Sequence, residues 1–277
     1  MRVCGKAFRL LIVASASTLF LVSVAGNFAL SATNESEFSF AIVPQQSASK
    51  TARTWVPVLR YLSEKSGYKL RFETSKNIPT FEDALAREKF DFSYMNPYHY
   101  IVNHEQGYSA IAKAEQNQIR GILIVARDSE LHTLADLRGL QLAFPSPNAF
   151  AASMIPRANL NRLQIDVTPI YVNSHDSVYR GVAEGLFPAG GGVLRTFEAA
   201  APEVRSRLKI LWTSEGYTPH AFVAHQRISA EVIKAVSEAM ISMKNDAQGR
   251  TLLQTLKIIG IETARDTDWN DIRRLPF

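Results

Sequence analysis

"LQLAFPSPNAFAASMIPRANLNRL", residues 140–163, is an apolar run that stops at a proline-rich turn and resumes with helical spacing. The strand ends at Phe144, Pro145 and Pro147 stiffen the turn, and Asn148 or Ser146 is placed to cap a helix beginning near Ala149. The N–H groups of Ala149 to Ala152 then lack intrahelical partners and gather at the C-terminal end of the strand, where the helix dipole favours an anion or another acceptor. An ordinary structural cap reads the same way. The stretch therefore establishes a strand-to-helix junction before it says anything about a ligand.

The same unit recurs along the chain. "FSFAIV" (38–43) precedes a helical pattern at 50–66, "KLRFET" (69–74) one at 80–89, "FDFSYM" (90–95) one at 97–105, and "DVTPIYV" (166–172) one at 175–186. "GILIVA" (121–126) and "LKILW" (208–212) are further strands, and helices follow 229. This alternation is the signature of an α/β protein with mainly parallel sheets. After "IRGILIVARDS" (119–129) only the short "TLADLRG" (133–139) intervenes before a new strand, so a second sheet can begin there. "PHAFVAH" (219–225) reads as a return strand ahead of two terminal helices. The expectation is two lobes, 32–120 with 222–277 and 121–221, joined by a hinge of two crossing strands near 120–126 and 219–225. The cleft between such lobes is where ligands bind.

The first residues are a different object. Arg2, Lys6 and Arg9 precede the uncharged "LLIVASASTLFLVSVAGNFAL", and Ala29 and Ser31 occupy the small-residue positions of a cleavage site. Residues 1–31 read as a secretory signal peptide, with a retained membrane anchor as the alternative, and the mature protein is expected in the periplasm. Cys4, the single cysteine of the 277 residues, falls in this leader, which excludes a disulfide scaffold and thiol catalysis in the mature chain. Subtracting Arg2, Lys6 and Arg9 from the formal charge of +5 leaves +2, a balance that gives no support to a nucleic-acid partner.

Several stretches carry candidate ligand-binding residues. "YMNPYHY" (94–100) opens a helix with Asn96 as N-cap and Pro97 near N1, and groups Tyr94, Tyr98 and His99 near a strand end; it is either an aromatic wall inside one lobe or a ligand-facing lip. "NSHDSVYRGVAEG" (173–185) sets Ser174 at a helix start and His175 in the first turn, where the dipole keeps the imidazole neutral; it donates to a ligand oxygen or simply faces solvent. Gly190, Gly191 and Gly192 allow close backbone approach, but no phosphate-loop lysine or dinucleotide glycine spacing accompanies them, so nucleotide binding is not expected. Arg195 starts the next helix, and "GYTPHAF" (216–222) places Tyr217, Thr218 and His220 at a hinge or cleft edge. Enzyme templates fit poorly. There is no serine elbow, and the pairs His99/His104 and His220/His225 are off the spacing that puts two metal ligands on one helical face. Glu82 and Asp83 read as surface charge. No metal and no cofactor is expected, and binding is what remains.

"FAIVPQQSASKTARTWVPVLRYLSEKSGYKLRF", "FDFSYMNPYHYIV", "DLRGLQLAFPSPNAFAAS", "SHDSVYRGVAEG" and "GYTPHAFVAH" together resemble the phosphate/phosphite/phosphonate family of periplasmic solute-binding proteins of ABC transporters, in order and over essentially the whole mature chain. The resemblance implies a two-lobed type II periplasmic binding fold with a hinge, closing on a small anion and presenting it to a membrane permease. It implies a monomer that is not an enzyme, and ligand contacts from Tyr94, Asn96, Tyr98, His99, Ser146, Asn148, Ala149, Phe150 and His175, with Arg195 and Tyr217 nearby. Three departures stand out: "SPNAF" keeps one hydroxyl of the family's serine/threonine-rich cradle, Ile78 stands near a usual tyrosine, and Pro188 stands where an acidic residue that meets a ligand amine is expected. They point away from an aminoalkylphosphonate. Two alternatives remain, a ligand sensor docking on a membrane receptor kinase, and a periplasmic enzyme using His175 with Asp176.

Overall fold

The first strand-helix unit sets the pattern for the rest. Phe40, Ala41 and Ile42 are buried in β1 (Glu37–Ile42), and the chain then enters α1 (Ala48–Ser66). The Ser47 side chain accepts from the Lys50 N–H at 3.4 Å, and Gly67 closes the helix in the left-handed region at φ 77°. Trp55, Val58, Leu59 and Leu62 recur at helical spacing and turn one face of α1 into the core. The computed structural model describes Met1 and residues 37–276, so the expected leader, apart from Met1, lies outside the described residues.

The unit repeats as β2 (Lys69–Glu73) with α2 (Ile78–Ala86) and β3 (Phe92–Met95) with α3 (Pro97–Asn103). Both helices start on an asparagine whose side chain accepts a backbone N–H, Asn77 from Thr80 at 3.0 Å and Asn96 from His99 at 2.8 Å. After β4 (Tyr108–Ala114) the chain leaves for a second sheet, built from β5 (Gly121–Ala126), β6 (Gln141–Phe144), a π-helical turn at Phe150–Met154 that runs into α4 (Ile155–Arg162), β7 (Thr168–Tyr171), α5 (His175–Ala183), β8 (Ala189–Val193), α6 (Leu194–Glu198), α7 (Pro202–Arg205) and β9 (Leu208–Thr213). It returns as β10 (Ala221–His225), followed by α8 (Ala230–Ser242), α9 (Ala247–Thr255), β11 (Ile261–Thr263) and α10 (Asn270–Arg273).

The strand orders are β11-β4-β10-β3-β1-β2 and β7-β6-β8-β5-β9. β1 lies parallel to β2 and β3, and β6 parallel to β7 and β8, but β10 is antiparallel to both its neighbours and so is β5. The sheets are therefore mixed, not mainly parallel. The reason is topological: each sheet accepts one strand where the chain crosses over, which runs against the strands it separates, and in the first sheet the edge strand β11 also runs antiparallel to β4. The crossing segments themselves are 115–120 and 214–220, just ahead of the positions expected for them, and Ile119 and Tyr217 exchange backbone hydrogen bonds there at 2.9 and 3.0 Å.

"GILIVA" is apolar throughout because β5 is covered on both faces. Ile122 and Ile124 pack with Val178 and Tyr179, whereas Leu123 and Val125 pack with Leu142, Phe144 and Leu160. The glycine triplet is strand β8 itself, a role its composition conceals. A Cβ on Gly191 would stand 2.0 Å from the Ala152 carbonyl oxygen, and one on Gly121 2.2 Å from that of Ala151. The absent side chains let the turn after β6 lie directly on β5 and β8.

Gly191→Ala is therefore expected to cost more than ~2 kcal/mol, because the backbone oxygen cannot give way as a side chain would. Gly139→Ala, where nothing lies within 4 Å but φ is 76°, should cost only about 1 kcal/mol. Thermal denaturation of both variants checks this, and equal losses would contradict the packing argument.

Candidate functional site

The C-terminal ends of β1, β3, β6 and β8 and the start of α5 converge between the two sheets, as expected of open α/β folds at the point where strand order reverses. They line a pocket walled by Gln45 after β1, Asn96 after β3, Ala149 to Ala152 after β6, and His175. Ile119 and His220 reach it from the crossing segments, and Val43, Ile78, Phe150 and Val193 supply its apolar part.

The junction after β6 is not capped as the sequence suggests. Neither Ser146 nor Asn148 caps it with a side chain; the Ser146 carbonyl accepts from the Ala149 N–H at 3.3 Å, and the Ala149 carbonyl accepts from Ser153 at 2.7 Å and Met154 at 3.3 Å. The N–H groups of Ala151 and Ala152 find no partner among the described residues. They sit in the cavity wall at the positive end of a helix that runs through Arg162. The Asn148 side chain turns to the first lobe instead, donating to Glu82 Oε2 at 3.4 Å, while the Asn148 backbone carbonyl accepts from Asn96 Nδ2 at 3.2 Å.

Two histidines complete the polar wall. His220 stacks on Tyr94 at 4.9 Å and 19°, and its buried Nε2 has no partner among the described residues. Burial first, then the Arg195 charge and the neighbouring His99 and His175, holds its pKa well below the usual histidine value. His175 is pushed down to about 3, again by burial and then Arg195. The imidazole is neutral as the sequence suggests, but the causes are burial and Arg195 and not the helix dipole invoked from the sequence. His175 Nδ1 lies 2.9 Å from Thr196 Oγ1, and its backbone N–H donates to the Gln45 carbonyl of the opposite lobe at 3.0 Å. Both imidazoles are thus neutral hydrogen-bonding groups at neutral pH.

Charged side chains hold the lobes together outside this cavity. Arg195 donates to the Leu256 carbonyl at 3.3 Å and to Gln45 Oε1 at 3.5 Å, with its guanidinium carbon 5.9 Å from the Tyr94 ring centre. Lys50 donates to Asp176 Oδ1 at 3.3 Å and to the Ala199 carbonyl at 3.1 Å. The pair on which an enzymatic reading depends is not formed, since His175 engages Thr196 and Asp176 engages Lys50.

Of the residues singled out from the sequence, Asn96, Ala149, Phe150 and His175 line the inner cavity, and Tyr94 and Arg195 line two larger cavities beside it. Tyr98 is half-buried against the first core, and Ser146 is buried behind the wall with its hydroxyl unpartnered. His99 turns into the helix pair α2 and α3, with Nε2 2.9 Å from Glu82 Oε1. Glu82 is thus an internal partner and not free surface charge. Tyr217 donates to Glu215 Oε1 at 2.8 Å, meets Phe150 edge-on at 5.7 Å, and has its hydroxyl pushed up to about 12 by burial and by Glu215. Gln45, Ile119 and Lys50 went unmarked. The rule that flagged the turn after β6 would have flagged "PQQSASK" after β1, whereas nothing local marks Ile119.

The unfolded chain binds protons on His175 and His220 near pH 6.5, but the fold keeps them neutral down to about pH 3 for His175. Stability from these groups is therefore complete above about pH 6.5 and is lost as pH falls, with a slope approaching ~1.4 kcal/mol per pH unit for each histidine. Melting temperature should fall less steeply between pH 6.5 and 4 in His175→Gln than in the unsubstituted protein, and identical slopes would contradict the assignment.

Residues 40–269 match the family described as ABC transporter, phosphonate, periplasmic substrate-binding protein. The phosphate-import protein PhnD of Mycolicibacterium smegmatis is 22% identical over 219 residues, 70% of this chain and 68% of that protein. The fold is similar to that of a binding protein component of an ABC phosphonate transporter from Pseudomonas aeruginosa, with a TM-score of 0.78, 17% identity, and 87% of this chain and 85% of that chain covered. It is equally similar to PhnD1 from Prochlorococcus marinus in complex with methylphosphonate, with a TM-score of 0.79, 16% identity, and 87% and 97% covered. The architecture is the two-lobed type II periplasmic binding fold, and the chain belongs to the family of periplasmic substrate-binding proteins of ABC phosphonate transporters.

Proposed function

We propose that this protein captures a small phosphorus oxyanion at this inner pocket and delivers it, as a monomer, to the membrane permease of an uptake system. The lobes, 32–120 with 222–277 and 121–221, close on the solute by bending at the crossing segments, and residues 1–31 direct the chain to the periplasm. The observation that carries this reading is the set of unpaired donors on one wall: the Ala151 and Ala152 N–H groups and the buried His220 Nε2. Oxyanion oxygens accept from such groups without requiring a charged side chain in the cavity.

The same wall argues for which oxyanion. No acidic residue lines the cavity, so a ligand ammonium group has no partner there. Val43, Ile78 and Phe150 leave a fourth polar oxygen unsatisfied, at a cost of roughly 1–3 kcal/mol. Methylphosphonate and phosphite, each with one apolar substituent on phosphorus, suit it better than phosphate. A relative that imports phosphate and a similar fold holding methylphosphonate are consistent with this class.

Calorimetric titration should rank methylphosphonate and phosphite about tenfold or more above phosphate, and 2-aminoethylphosphonate below all three. His220→Gln should weaken methylphosphonate binding by roughly tenfold or more, the worth of one hydrogen bond to a charged acceptor. Binding of none of these anions would overturn the proposal.

A further inference from the structure

Two larger pockets flank the inner one, and Tyr94, Arg195 and Lys257 line both. The first of them shares Val43 and Gln45 with the inner cavity and adds Lys50, so three cationic residues and no carboxylate line it. Arg195 and Lys50 are already engaged, the first with the Leu256 carbonyl and Gln45, the second with Asp176 behind the wall. Lys257 is not: its ammonium has no hydrogen bond or ion pair among the described residues. Gln46 also belongs to this lining, and its buried Nε2 has no partner among the described residues. An uncommitted cation on the exposed Lys257 thus borders a space that shares Val43 and Gln45 with the proposed head-group site.

The backbone gives a handle on Lys257. It follows the C-cap of α9 at φ 59°, the left-handed position where glycine or asparagine is preferred, as Glu88 and Gln164 do at the ends of α2 and α4. Replacing it with glycine removes the charge and relieves the backbone together. Loss of binding through loss of folding is then not expected.

We infer that this outer cavity is a second subsite, which takes an acidic group on the ligand's substituent. Resting on the reading that the inner cavity holds the phosphorus head group, the preferred solute is a phosphonate carrying a second anionic group, its chain passing along Val43 and Gln45 to the cations. The second charge is balanced by Lys257 and by the fields of Arg195 and Lys50, and it displaces neither latch.

Titration calorimetry of methylphosphonate, propylphosphonate and 3-phosphonopropionate tests this on the whole protein and on Lys257→Gln and Lys257→Gly. The unsubstituted protein should bind 3-phosphonopropionate roughly three- to tenfold more tightly than propylphosphonate at low salt, as a partly exposed ion pair allows. Both variants should bring that ratio close to one with methylphosphonate affinity unchanged, and Lys257→Gly should melt no lower than the unsubstituted protein. A ratio near one in the unsubstituted protein, or a ratio that survives both substitutions, overturns the subsite while methylphosphonate binding still upholds the head-group reading. Failure of all three phosphonates to bind overturns both.

Discussion

Two backbone N–H groups that the fold cannot satisfy internally organise this protein. Those of Ala151 and Ala152 open a helix whose first turn is pressed onto β5 and β8, where Gly121 and Gly191 admit carbonyl oxygens that any side chain would exclude. The turn cannot roll away from the cleft without losing that contact. On its other side Ala149 to Ala152 and Ile155 pack with the core of the first sheet, so the same residues that offer donors also join the lobes. Preorganised donors of this kind bind an anion without reorganisation at the moment of binding.

The charges near the cleft bridge the two lobes. Arg195 reaches across to Gln45, the Leu256 carbonyl and the Tyr94 ring, and Lys50 reaches across to Asp176 and the Ala199 carbonyl. Their fields nevertheless penetrate the inner cavity, since Arg195 is among the causes that depress both His175 and His220. Neutral histidines, a helix N-terminus and a nearby guanidinium give a site that is positive in potential but free of full charges in its wall. Gln45 joins the candidate site to these bridges, since its backbone carbonyl accepts from the His175 N–H while its side chain accepts from Arg195.

Much of this was legible in the sequence, and the gaps have physical causes. The junctions after Phe144, Met95 and Tyr171 announced themselves through prolines and capping residues, and the apolar run of β5 and the return at 219–225 announced two sheets. The direction of β5 and β10 did not, because strand polarity is set by the crossover and leaves no mark in the side chains. β8 was hidden because "AGGGV" carries a single branched residue, Val193, and three glycines whose place is set by what lies on top of them. Gln45 and Glu82 were missed for a related reason: their partners, His175, Asn148 and His99, are distant in sequence or on another helix. The resemblance to oxyanion-binding proteins pointed to the junctions that meet in the candidate site, while the donors that stand in for the usual hydroxyls in the proposed reading had to be read from the fold.

A crystal structure of the complex with methylphosphonate would decide whether these donors hold the anion. Phosphonate oxygens should lie within hydrogen-bonding distance of the Ala151 and Ala152 N–H groups and of His220 Nε2, with the methyl group toward Val43, Ile78 or Phe150. A phosphonate held instead by Lys50, Arg195 and Lys257 in the outer cavity, with those N–H groups still unpaired, would contradict this reading.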